Sequence, residues 1–110
     1  MKFQRGRHTP AFILLYIAEK PSYGFELLHR CNEELLDNTI DVAAIYLSLK
    51  ELEKDNCIIS HWEQSTSGPP KKLYQITETG YEKLEEYKHD ILERLENLQH
   101  FTNVYSKINA

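Results

Sequence analysis

The stretch TSGPPKKLYQIT, residues 66–77, constrains this chain more than any other. A flexible Ser-Gly runs into two stiff prolines, two lysines follow, and the rest alternates as a strand does. The residues just before it, CIISHWEQS (57–65), also read as a strand, so the pair predicts a hairpin with Lys71 and Lys72 at its tip. Pro69 and Pro70 reduce the ordering entropy of that loop. As an isolated feature, such a turn is equally an exposed edge whose lysines keep it soluble.

Helical patterns flank the hairpin. Thr9-Pro10 predicts the start of a first helix, with Thr9 as N-cap and Pro10 in the first helical position. The nearly continuous apolar run at 12–17 makes this the central buried helix. After the break EKPS (19–22), Ser22 is placed to cap a second helix with Phe25, Leu28 and Leu35 on one face. The segment DNTID (37–41) turns the chain, and Asp41 caps a third helix, VAAIYLSLKELEKDN. There Val42, Ile45, Leu49 and Leu52 form a core-facing stripe, and Asn56 suits the left-handed cap at the end. Beyond the hairpin, Thr77 caps a long helix running to about Phe101.

Three helices, a hairpin and one long helix is the order of a winged helix-turn-helix, with the hairpin as the wing. In that arrangement the third helix enters a major groove while the wing reaches the neighbouring backbone, where two lysines meet phosphates. The formal net charge of −4 argues mildly against a generic polyanion binder, but the charge is segregated. Lys2, Arg5, Arg7 and His8 make the N-terminus basic, and the acids gather in the last third. At 110 residues the core is small, which favours association between copies. The longest apolar run, residues 11–18, is too short to span a bilayer. Cys31 and Cys57 form no CxxC pair, and reduced, partly buried thiols fit a cytoplasmic protein.

Three segments, AEKPSYGFELL (18–28), IYLSLKELEKDNCI (45–58) and SGPPKKLYQITETG (67–80), in this order and spacing resemble the PadR-type bacterial transcriptional regulators. The length resembles the short subgroup with a single C-terminal dimerisation helix. The resemblance implies that Tyr46 contacts DNA backbone, that Lys71 and Lys72 are the basic wing tip, and that Tyr23 and Gly24 pack at the start of the second helix. This chain departs from the family pattern by carrying Val42, Ala43 and Ala44 where Pro-Gly-Thr is common. It also has Leu47 where an arginine often follows the tyrosine. Apolar contact with thymine methyls then carries more of the readout, or base contacts are few.

The expected DNA-binding residues are therefore Ala43, Ala44, Tyr46, Leu47 and Lys50 on the third helix, with Lys71 and Lys72 on the wing. Arg5 and Arg7 are either an arm that reaches DNA or a frayed terminus. For Tyr46 the alternative is a ring packed on the hairpin, and for Lys50 a merely solvated charge. The long helix carries Leu84, Tyr87, Ile91, Leu98, Phe101 and Tyr105 at heptad a and d positions, with Leu92 and Leu95 beside them. Burial against a second copy and folding back over the first helix both satisfy that stripe. Trp62, the sole tryptophan, is expected to cover the junction of hairpin and helical core, or else to stack an aromatic effector.

Other chemistry has weak signals. His29 and Cys31 are the only close pair of metal-ligating residue types among five histidines and two cysteines, so no metal or cofactor is expected. There is no phosphate-cradling glycine loop and no GxSxG, and Ser60 and His61 point to opposite faces of a strand. An enzyme is not expected. The chain is read as mainly α with a small β-hairpin: a DNA-binding winged helix over 1–77 and a dimerisation helix over 78–110. Its partners are a double-stranded DNA operator, a second copy of itself and a small-molecule effector that releases a repressor, with no membrane. The alternatives are a winged-helix module that binds protein, or a MarR- or ArsR-like sensor.

Overall fold

The computed structural model describes residues 8–35 and 40–108; Arg5, Arg7 and most of the turn at 37–41 lie outside them. Helix α1 (Thr9–Glu19) is the buried centre, with Ile13, Leu14, Tyr16 and Ile17 inside. It begins one residue earlier than its sequence suggests. His8 takes the N-cap position, and Thr9 turns its side chain into the protein instead of capping. Its hydroxyl finds no hydrogen-bond partner among the described residues.

Residues Ser22–Tyr23 form a short strand, β1, which leads directly into α2 (Gly24–Glu34). The N-cap is accordingly Tyr23, not Ser22, and its backbone N–H donates to Glu26 Oε1 at 2.8 Å. The Ser22 hydroxyl donates instead to the Lys20 carbonyl, also at 2.8 Å. Strand pairing sets the rotation of α2 about its axis, so Leu27 and Cys31 are the buried positions. Leu28 and Leu35 pack at the core's edge, whereas Phe25 faces out. The guanidinium of Arg30 lies 4.0 Å from the Tyr16 ring centroid and pairs with Glu19 and Glu34, stapling α2 to α1.

Asp41 caps α3 (Val42–Lys54) as expected, its Oδ1 accepting from the Ala44 N–H at 2.8 Å. Ile45, Leu49 and Leu52 form the buried stripe, joined by Ser48. Val42 is exposed, because the first turn of α3 projects past the core. Asn56 follows the helix with φ of 63°, the left-handed geometry anticipated for it.

Strands β2 (Ile58–Glu63) and β3 (Lys71–Ile76) make the antiparallel hairpin. The sheet has a third strand, since β1 pairs with the other edge of β3 to give the order β1-β3-β2. Its two residues carry no alternation that a sequence pattern can register. Ile58 and Tyr74 face the helices and close the core over α1 and α3.

Thr77 joins the hairpin to α4 (Glu78–Ile108). Its hydroxyl accepts from the Gly80 N–H at 3.0 Å and lies 2.6 Å from the Asn56 carbonyl, to which it donates. Helix α4 runs seven residues past Phe101, and its 31 residues span about 46 Å. Leu84 and Tyr87 pack on the core. From Leu95 to Ile108 every residue is exposed, and the molecule's longest dimension reaches 61 Å.

Candidate nucleic-acid interface

Helix α3 buries one stripe and presents the opposite one. Ala43, Tyr46, Leu47 and Lys50, at i, i+3, i+4 and i+7, are all exposed on the side away from the core, with Ala44 half-buried at its margin. Tyr46 is 49% exposed and shares its clefts with Lys72 and Tyr74 of the hairpin. It lies across Gly24 at the start of α2, so close that a Cβ on Gly24 would sit 2.7 Å from the Tyr46 hydroxyl oxygen. Glycine at 24 lets the two helices of the helix-turn-helix approach at this point.

The Tyr46 hydroxyl makes no hydrogen bond within the described residues, so it is available to a phosphate. Tyr46→Phe is expected to weaken duplex binding by about 0.5–1.5 kcal/mol while leaving the melting temperature nearly unchanged. Titration of labelled duplex beside a thermal melt checks this; a large fall in melting temperature with intact binding would assign Tyr46 to packing.

The wing lysines stand elsewhere than expected. The loop occupies 64–70, and pairing resumes with Glu63 opposite Lys71 and Trp62 opposite Lys72. Lys71 and Lys72 thus open β3 and are not at the tip; alternation sends them to opposite faces of the sheet. Lys71 is exposed on the outer face, its Nζ 5.1 Å from the Phe25 ring centroid and 5.7 Å from that of Tyr23. On that face Tyr23 stacks on Phe25 and donates its hydroxyl proton to the Glu63 carboxylate, a bond that pushes the Tyr23 pKa up. Lys72 turns toward α3. Its Nζ is 3.7 Å from Glu53 Oε1 and under 6 Å from the Trp62 and Tyr74 ring centroids.

Trp62 does not cover the junction between hairpin and core. It is 68% exposed, because the register puts it opposite Lys72, beyond the last residue the helices can cover. It lines a cleft of about 400 Å³ with Tyr23, Gly24, Phe25, Tyr46, Pro70, Tyr74 and both wing lysines, Lys71 and Lys72. A neighbouring cleft of about 530 Å³ between α3 and the wing is lined by Tyr46, Lys50, Glu53, Lys54, Lys72 and Tyr74. Burial, then the nearby Glu53, pushes the Tyr74 pKa up and keeps its hydroxyl neutral. The structure thus brings Tyr46, Lys50 and Lys72 to one surface and adds Trp62, Lys54 and Glu53. Lys71, beside Phe25 and Tyr23, reaches that surface only through the Trp62 cleft and not the one beside Lys50. Trp62 was legible only through the hairpin register, which a seven-residue loop conceals.

On α4, Leu84 and Tyr87 are already partly buried within the chain, and Ile91 is half-buried. Leu92, Leu95, Leu98, Phe101 and Tyr105 are exposed, together with Val104 and Ile108, which the heptad reading omitted. Arg94 pairs with Asp90 one turn away at 3.0 Å. Cys31 and Cys57 are buried, and desolvation pushes both thiols up, leaving them protonated and unreactive near neutrality. Among the described residues no three His, Cys, Asp or Glu side chains are grouped to hold a metal, and no helix is long and apolar enough to cross a membrane.

Residues 13–86 match the family model described as the transcriptional regulator PadR-like family, a span from inside α1 into the first turns of α4. The chain belongs to this family. Its role is therefore transcriptional regulation. A PadR-like transcriptional regulator from Bacillus cereus is 30% identical, with a TM-score of 0.68 over 83% of this chain and 90% of that one. A PadR-family regulator from Clostridium difficile is 26% identical, with a TM-score of 0.70 over 83% of this chain and 96% of that one. Bacillus subtilis PadR, solved in complex with operator DNA, shares the fold at 21% identity, with a TM-score of 0.64 over 74% of this chain and 47% of its own.

Proposed function

We propose that the chain is a homodimeric, sequence-specific DNA-binding repressor that acts by binding and not by catalysis, in the cytoplasm. The observation that carries the reading is the continuous surface formed by the exposed face of α3 and the inner edge of the wing. There Tyr46, Lys50, Lys54 and Lys72 surround one cleft, with Trp62 at its rim. Family membership and the DNA complex of Bacillus subtilis PadR support it. Residues 1–77 form the reading head, and 78–110 supply the helix whose exposed apolar stripe is covered by a second copy.

In the dimer, two α3 helices enter successive major grooves, about 34 Å apart, and each wing grips the flanking backbone. Ala43, Ala44 and Leu47 offer methyl and isobutyl contacts suited to thymine methyls, while Tyr46 and Lys50 take phosphates. Because α4 packs on α1, and its Leu84 and Tyr87 pack on the core, a small molecule that repacks this contact changes the spacing of the α3 helices and releases the operator.

The sole tryptophan provides the test. Trp62 is solvent-exposed at the rim of the proposed surface, so its fluorescence should shift to shorter wavelength or be quenched on titration with duplex. The change should reverse on raising salt, as counterions displace the phosphate contacts. A Trp62 spectrum that stays constant while the duplex binds would place the DNA on another face.

A further inference from the structure

Among the described residues lining the cleft between α3 and the wing, Glu53 carries the single carboxylate. On a surface that meets phosphates, an acid is repulsive, so its presence needs a reason. Both oxygens of Glu53 are engaged, each by a different strand. Oε2 accepts from the Ser60 hydroxyl on β2 at 2.8 Å, and Oε1 stands 3.7 Å from Lys72 Nζ on β3. One side chain of α3 therefore reaches both strands of the wing. It also masks Lys72, the one lysine of the pair that faces α3.

We propose that Glu53 is a specificity-determining positioning residue, withholding Lys72 from phosphates until a duplex is seated in the register that α3 accepts. The proposal rests on the DNA-binding reading above. A random duplex is held through backbone contacts alone, and a phosphate approaching Lys72 must compete with the ion pair and meet a like charge. On a selected site, contacts along α3 bring that phosphate into place and offset the competition. Glu53 thus lowers affinity for random DNA more than for the operator. Ser60 keeps the carboxylate aimed at Lys72 instead of turned to solvent.

Glu53→Gln tests this, because glutamine keeps the size and the acceptor for Ser60 but removes the charge. The probes are poly(dI-dC) and a duplex selected by the wild-type protein from a randomised pool. For the variant, affinity for poly(dI-dC) should rise about three- to tenfold, the scale of one like-charge contact near water. Its salt dependence should steepen by about one unit as Lys72 takes up a phosphate, and the ratio of selected-site to random affinity should fall. Lys72→Ala in the otherwise wild-type chain gives an independent arm. It should flatten the salt slope by about one unit on the selected duplex and leave the slope on poly(dI-dC) unchanged.

A purely structural Glu53 would alter the melting temperature of Glu53→Gln but leave slope and ratio at wild-type values, and that result overturns the proposal. Equal slope losses on both duplexes for Lys72→Ala overturn it as well. If the wild-type protein binds neither duplex, the DNA-binding reading has itself failed and this one falls with it. If the wild type binds both and the variants match it, Glu53 alone is misassigned.

Discussion

Leu98→Glu is expected to produce a folded monomer that has lost operator binding. Leu98 is 65% exposed in the single chain and lies in the stretch of α4 where every side chain faces solvent. The substitution therefore removes no contact within the chain, and the winged-helix core should keep its helical content and most of its thermal stability. The apolar positions Leu95, Leu98, Phe101, Tyr105 and Ile108 recur along the projecting helix, and a second copy is the proposed cover. At roughly 1.5–3 kcal/mol for each large apolar side chain fully buried, that stripe accounts for several kcal/mol of association. In an isologous interface a glutamate placed there is duplicated by symmetry, so desolvation and like-charge repulsion act together at a cost of about 3 kcal/mol or more. A monomer engages one half-site and forfeits the partner's phosphate contacts, so duplex affinity should fall by about 100-fold or more. Sedimentation and duplex titration on one sample check both halves. A Leu98→Glu protein that remains dimeric with wild-type affinity shows that α4 is not the seam.

Gly80→Ala is expected to unfold the chain far more readily than a one-carbon change on a helix ordinarily does. Alanine is the better helix former, so on an exposed turn the substitution would stabilise α4. Here Gly80 is buried where the first turn of α4 crosses the end of α3 and the start of β2. A Cβ at this position would lie 2.1 Å from the Cys57 carbonyl oxygen and 2.6 Å from Ile76 Cγ1. The first of these is backbone and cannot rotate away. That same carbonyl accepts from the Thr77 N–H at 3.0 Å, and Thr77 in turn caps the turn containing Gly80. Relief of the clash moves the whole junction, so the penalty should be about 3 kcal/mol or more. For a domain of this size, that lowers the melting temperature on the order of 15 °C. Calorimetry checks it; a melting temperature within a few degrees of wild type would mean the junction can open without loss.

The two variants also separate what was readable in the chain from what was not. The order of elements followed from local signals that need no partner. Asp41 and Thr77 cap through their own side chains, Asn56 accepts a left-handed backbone, and the stripe Ile45-Leu49-Leu52 follows one helical face. Local signals misled where a long-range contact competed with them. Ser22 is a good capping residue, but pairing with Tyr74 in β3 took it into the sheet and passed the N-cap to Tyr23. Thr9 is another, yet its side chain turned into the core. Phe25 reads as core by hydrophobicity, but the pairing of β1 rotated it outward beneath Lys71.

For the candidate site, the sequence by itself determined which helix offers a polar and aromatic face and that the hairpin carries lysines. It also determined that α4 bears an apolar stripe longer than its own domain can cover. These are properties of composition and period, written within a few residues of one another. Only the tertiary structure decided which lysine faces α3, because side-chain direction on a strand depends on where pairing resumes after the loop. The same register placed Trp62 at the rim of the cleft and brought Ser60 and Lys72 to Glu53, contacts between residues 7 and 19 positions apart. No periodicity encodes such a meeting. It arises when the wing folds back over α3, and there the charge that governs access to Lys72 is set.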